Sequence, residues 1–452
     1  MNTLTLSNTL DMLTNGDISS VRIVQSLLDA IETKNTDPRA YLSVNRNSAL
    51  SSAESADTAR STGHSAKLLG LPIAVKDNIC AEGFICSCAS KLLENFVAPY
   101  DATVIRKLKD AGAILLGRTN MDEFDFGSSY GTAMSVEANL AVSALASDRG
   151  GSLLIPAAVC GPTGLRPSYG RVSRYGLAGP TSSLDQIGTI TKSVKDAALL
   201  LAVIAGYDTK DSTSHDTPVP DYVPGLEGDI KGLRIGVPVN YFEDRLDPET
   251  DATLKSAIKQ MTDLGAEINE LNLIDPEYAA YAFGVLASAE ASSNLARYDG
   301  VRFGVRAENA DDVADMYTKT RSAGLGSTVK SAILLGTLLL TSGYYDEYYL
   351  RAQKVRTLIK DDFKKAFEKC DVIMAPVTKS TSRQKMGGQN TIMQMILDST
   401  YTAPASLAGI CSITLPCAGS ATGLPVGMQL MGRAFDEETI LKVAFNYEKA
   451  NA

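Results

Sequence analysis

The feature that most restricts what this 452-residue chain can fold into is the stretch from Ser128 to Pro156, SSYGTAMSVEANLAVSALASDRGGSLLIP. Glycine, serine and alanine dominate it, so it is poor material for a plain helix or strand and good material for close backbone packing. Gly150-Gly151 can take dihedrals closed to other residues. Ser152 follows that pair directly. Its hydroxyl can therefore project from a tight turn whose N–H groups face a pocket, the arrangement a serine nucleophile and an oxyanion hole require. A glycine-rich connection with incidental serines fits the same residues, and a motif this short needs support from the rest of the chain.

The usual base is missing. The chain has only two histidines, His64 in STGHSAK and His215 in KDSTSHDTPVP, both in polar, turn-rich runs that read as surface loops. That disfavours a Ser-His-Asp triad and leaves the Ser-Lys variant. Leu71–Val75 is an apolar run that predicts a short buried strand, and Lys76 stands at its end. A lysine desolvated there can serve as a base near neutrality, although a solvated lysine at a strand end fits the same residues.

Short strand-like runs alternate with helical ones along the whole chain. No linker, repeat or charge block divides it, which predicts one α/β domain with a mixed, twisted sheet covered by helices. A helix is expected after Asp17 or Ser19, another capped by Asp101 and stopped at Gly112, and a third started by Asp247-Pro248. Gly423–Leu430 reads as a strand closing the sheet, and Ile392–Leu397 as a core-like run. Tyr344, Tyr345, Tyr348 and Tyr349 fit either a pocket wall or ordinary packing. A net charge of −9 argues against a chain that grips a phosphate backbone by itself. No apolar run reaches transmembrane length and no signal peptide is evident, so a cytoplasmic location with no membrane contact is expected. Cys80, Cys86, Cys88, Cys160, Cys370, Cys411 and Cys417 form no C-x-x-C pair and read as reduced, buried thiols, with no metal site among them.

Several segments together carry a resemblance: GLPIAVKDNI at 70–79, PYDATVIRKLKDAGAILLGRTNMDEF at 99–124, SDRGGSLLIPAA at 147–158, PSYGRVSRYGL at 167–177, SSLDQIGTITKSVKDAALLLAVIAGYDTKDSTS at 182–214, SGYYDEYYLRAQKVRTLIKDDF at 342–363 and GLPVGMQLMGRAFDEETIL at 423–441. The chain resembles the amidase signature family, and within it the branch of A subunits of glutamyl-tRNA(Gln) amidotransferases. The resemblance implies a domain spanning 1–452, with its signature core at about 65–215 and 400–445 and a substrate-side helical insert at about 215–400. It implies a Ser-Ser-Lys mechanism in which Ser152 is the nucleophile, Lys76 the base and a second serine the proton relay. Ser128, 24 residues before Ser152, matches the relay by position. Asp148, Gly150 and Gly151 would shape the oxyanion turn. The implied substrate is glutamine, whose ammonia would pass to a partner carrying ATP and Mg. The B and C subunits and a tRNA held mainly by the partner are implied in the same way, with no cofactor in this chain.

The chain also departs from that family. A GSS expected after MDEF and a second GSS expected upstream of the nucleophile are fused into the single Gly127-Ser128-Ser129, so the signature region is shortened. Leu154 stands where an arginine is usual, and the arginine that would clamp the glutamine carboxylate falls on Ser331 or Ala332. The acidic partner for the substrate's amino group is expected near Asp398 and Ser399, with Ser399 in the aligned place. These changes keep two other readings open: a free-standing amidase for another carboxamide, and a catalytically impaired scaffold.

Overall fold

The structure, a computed structural model, describes residues 5–36, 39–127, 129–242, 245–380, 391–417 and 423–451. Its strands are β1 (Tyr41–Ser43), β2 (Pro72–Lys76), β3 (Ile114–Thr119), β4 (Ser143–Asp148), β5 (Thr163–Arg166), β6 (Gln186–Thr191), β7 (Arg234–Pro238), β8 (Glu267–Leu271), β9 (Val372–Pro376), β10 (Ser412–Pro416) and β11 (Gly427–Gly432). They form one sheet in the order β1-β3-β2-β4-β6-β5-β10-β11-β9-β7-β8. β2 runs parallel to both β3 and β4, and β7 parallel to β8 and β9, while the remaining pairs are antiparallel. Every residue of β2, β4, β6, β9 and β11 is buried, as strands covered by helices on both faces must be. No helix of the described residues is long and apolar enough to cross a membrane.

The apolar run at 71–75 does become β2, and Ser19 and Asp247 do cap helices through their side chains. Elsewhere the structure corrects the reading. Asp101 caps nothing: the helix Thr103–Asp110 starts after Ala102, and the Asp101 carboxylate instead accepts from the Glu82 N–H and from Lys109. β11 does not close the sheet but lies inside it between β10 and β9; the edges are β1 and β8. The stretch 215–400 is not purely a helical insert, because it supplies β7, β8 and β9 to the same sheet. Ile392–Asp398 is a helix with only Ile396 fully buried. Tyr344 stacks on Tyr348 and Tyr345 meets Tyr349 at a tilt, each pair four residues apart, with Tyr344, Tyr345 and Tyr348 exposed, so these rings pack on each other.

The parallel pairing of β2 with β4 is what positions a site. Both strands end on the same side of the sheet, β2 on Lys76 and β4 on Asp148. The crevice beyond the carboxyl ends of such strands is where open α/β sheets bind ligands. Two buried ion pairs anchor these ends, Asp77 with Arg118 at 3.3 Å and Asp148 with Arg166 at 3.1 Å.

Candidate active site

Three charged or nucleophilic side chains meet beyond the ends of β2 and β4. Lys76 and Asp125 are each 1% exposed, and the Lys76 ammonium donates to Asp125 Oδ1 at 2.5 Å. The Ser152 hydroxyl lies 2.9 Å from Asp125 Oδ2. Lys76 and Ser152 also share the Ser147 carbonyl, at 3.1 and 3.2 Å. Ser129 donates to Asp125 Oδ1 at 2.8 Å, and Ser147 Oγ stands 3.3 Å from Oδ2. Burial raises the cost of a charge on Asp125, but the Lys76 and Arg149 charges and the hydrogen bonds from Lys76 and Ser129 outweigh it and hold the carboxyl below its ordinary range. Asp125 follows Phe124 in a left-handed backbone, with φ of 63° after 48°, and Ser129 has φ of 46°. Non-glycine residues adopt this region at a cost that surrounding structure must offset.

Asp148 shapes the turn that carries Ser152. Its Oδ1 accepts from the Gly151 N–H at 3.0 Å and its Oδ2 from the Leu153 N–H at 2.8 Å. The Gly151 amide is therefore committed to Asp148. The turn is also held from the far end of the chain: the Thr402 hydroxyl donates to the Gly150 carbonyl at 2.5 Å and the Ser406 hydroxyl to the Arg149 carbonyl. A Cβ on Gly150 would meet the Phe283 ring at 2.4 Å. Gly151 has φ of 129°, and a Cβ there would lie 2.3 Å from Thr402 Oγ1. Gly151→Ala is thus expected to displace Ser152 and lower its acylation rate at least ~10-fold, since misplacement by an ångström is that costly; a rate within twofold of wild type would mean the turn tolerates the side chain.

Arg149, 2% exposed, is a second cation of the site beside Lys76. It donates to the Asp125 carbonyl at 2.6 Å and lies over the Phe126 ring at 4.4 Å, while its Nε has no hydrogen-bond partner among the described residues. Behind it Asp185 accepts from the Thr181 N–H at 2.7 Å, and burial, only partly opposed by Arg149, raises its carboxyl to about 7. A raised carboxyl favours the fold most below the unfolded value near 4, and that contribution is lost as pH rises to 7. Stability is expected to fall on the order of 2 kcal/mol between pH 5 and 7 from this group. Asp185→Asn should flatten the change in calorimetric melting midpoint over that range; an unchanged slope would exclude Asp185 as its source.

Arg149, Gly150, Gly151 and Ser152 line a narrow pocket with Phe283, Asp398 and Ser399. Its volume of about 20 Å³ is little more than one water occupies. Ile155 and Asp398 continue it into a cavity of about 220 Å³ that Tyr130, Gln394 and Tyr401 also line. Asp398 accepts from Gln394 at 2.7 Å, and the Ser399 hydroxyl donates to the Ile396 carbonyl. The structure therefore brings Lys76, Asp148, Gly150, Gly151, Ser152, Asp398 and Ser399 to one region. Ser128 lies outside the described residues. Leu154 is buried in the main core, Ala332 packs in a separate apolar cluster and Ser331 is exposed. His64 and His215 are exposed. Sequence reasoning missed Asp125, Arg149, Thr402 and Ser406.

Residues 22–129 and 126–441 match the Amidase family model; the two segments meet at 126–129, which both include. The chain is 46% identical over 473 aligned positions to the A subunit of the glutamyl-tRNA(Gln) amidotransferase of Geobacter metallireducens, covering 99% of this chain and 97% of that protein. It is 46% identical to the corresponding A subunit of Heliobacterium modesticaldum, over 97% and 95%. The first alignment is longer than the chain and so leaves gaps in it. Among solved structures, the glutamyl-tRNA(Gln) amidotransferase A subunit of Thermotoga maritima superimposes with a TM-score of 0.77 at 31% identity, over 98% of this chain and 94% of that one. Native peptide amidase from Stenotrophomonas maltophilia does so with 0.82 at 28% identity, over 99% and 97%.

Proposed function

Because the chain belongs to the Amidase family, we propose that it is the glutamine-hydrolysing component of a tRNA-dependent amidotransferase that converts Glu-tRNA(Gln) to Gln-tRNA(Gln). The observation that supports this reading is the convergence of Ser152 and Lys76 on one buried carboxylate beyond the parallel strands β2 and β4. Ser152 Oγ attacks the side-chain amide carbon of glutamine. The C–N bond breaks, ammonia leaves, and water then hydrolyses the glutamyl ester. Ser128 is the positional candidate for a relay serine. The amide group sits at Ser152, and the α-carbon groups extend toward Asp398 along the pocket that Arg149 also lines. Arg149 supplies the positive charge for the α-carboxylate that Leu154, Ser331 and Ala332 cannot supply. Arg149→Met is expected to raise KM for glutamine at least ~10-fold; an unchanged KM would place the carboxylate elsewhere.

The ammonia passes to a partner that binds ATP and Mg, within a cytoplasmic assembly with B and C subunits. The net charge of −9 supports a tRNA held mainly by that partner. The test is ammonia and glutamate release from glutamine by the chain alone and with its partner subunits, followed by Gln-tRNA(Gln) formation with ATP present. Hydrolysis of a simple carboxamide but not of glutamine would favour a free-standing amidase. No hydrolysis of either by folded protein with its partners would favour a scaffold.

A further inference from the structure

We propose that the Asp125 carboxylate joins Lys76 to Ser152 and takes the proton of the nucleophile. The inference rests on the reading of Ser152 as nucleophile and adds the identity of its proton acceptor. Both carboxylate oxygens are committed to the site: Oδ1 accepts from Lys76 at 2.5 Å and Oδ2 faces Ser152 Oγ at 2.9 Å. Ser129 supplies a further hydrogen bond at 2.8 Å. The left-handed Phe124-Asp125 backbone, with the Asp125 carbonyl held by Arg149, fixes the direction in which the carboxylate points. A buried acid in a costly backbone conformation, hydrogen-bonded to the reacting oxygen, has the geometry of a general base.

The step balances. The Ser152 O–H bond breaks as Oγ bonds to the amide carbon, and the proton moves to Asp125 Oδ2. The resulting carboxylic acid gives that proton to the departing nitrogen as the C–N bond breaks, so ammonia leaves neutral. In the second half, water gives a proton to Asp125 as its oxygen attacks the ester, and the proton returns to Ser152. Lys76 donates to Oδ1 throughout and offsets the carboxylate charge. An acceptor that is already ionised through neutrality requires no deprotonation as pH rises, whereas a lysine base does.

The test is the rate at which a fluorophosphonate labels Ser152, followed by intact mass from pH 5.5 to 8.5. Wild type should give one adduct, absent in Ser152→Ala, with a rate constant within about threefold across that range. Asp125→Asn should label at least ~100-fold more slowly, and Asp125→Glu should recover part of the loss. A wild-type rate rising about tenfold per pH unit through neutrality would overturn the proposal in favour of Lys76 as base, and that readout holds even if no Asp125 variant folds. Faster or unchanged labelling in Asp125→Asn, with loss in Ser128→Ala, would overturn it alone and leave Ser152 as nucleophile. No adduct on folded wild type would overturn the nucleophile reading and the proposal with it.

Discussion

Ser152→Ala is expected to lower glutamine hydrolysis by about 10⁴-fold or more while leaving the melting midpoint close to that of wild type, because a nucleophile acts only as part of its unit and its loss costs nearly the whole of that unit's contribution. The structural side of the expectation is specific. Ser152 is not a core side chain: its hydroxyl donates to Asp125 and faces the Ser147 carbonyl, and alanine leaves the turn itself intact. The turn is fixed by Asp148, Thr402 and the two glycines, none of which depends on the hydroxyl. Asp125 keeps its bonds to Lys76 and Ser129. Activity and stability should therefore separate. The check is ammonia release beside calorimetric unfolding on one preparation. Residual hydrolysis above a tenth of wild type would move the nucleophile off Ser152. A collapse of both activity and fold would show the hydroxyl to be structural.

What could be read from the sequence follows from how local each determinant is. Lys76 was legible because an apolar run of five residues ends on it, and a buried strand's end is where a sheet meets its crevice. Ser152 was legible because Gly150-Gly151 needs a tight turn, and the φ of 129° at Gly151 shows that demand. Both signals lie within a few residues. Asp125 meets Lys76 across 49 positions and Ser152 across 27, and no spacing rule joins residues so far apart. The available signal was its setting, an aspartate between Phe124 and Phe126, where apolar flanks imply burial and a buried charge demands a partner. Thr402 and Ser406 reach the turn from more than 250 residues away, which only the fold reveals. The misplacement of β11 has a related cause: a strand's sequence reports that both faces are covered, not which neighbours it pairs with.

Lys76→Met is expected to cost about 3–5 kcal/mol of stability, because it strands the Asp125 charge in a site where both partners are 1% exposed. The double variant Lys76→Met/Asp125→Leu should recover most of that loss, since replacing a buried pair by apolar side chains is often neutral. The cycle therefore measures the cost of breaking the pair rather than the worth of keeping it. Its pH dependence has a definite sign. The Asp125 carboxyl is held low by Lys76, Arg149 and their hydrogen bonds against the effect of burial. A depressed carboxyl contributes stability above its unfolded value near 4, and that contribution disappears as pH falls through the folded value. Without Lys76 the opposing effect of burial gains weight, so the loss of stability that wild type shows from this group as pH falls below about 4 should shrink in Lys76→Met. Unfolding can be followed by circular dichroism, since the chain has no tryptophan. A single-variant cost below about 1 kcal/mol, with no recovery in the double variant, would mean that water reaches the pair and screens it. Asp125 would then be neither a buried partner of Lys76 nor a fixed acceptor for Ser152. The same carboxylate thus ties the stability of the β2 end to the chemistry at the β4 turn.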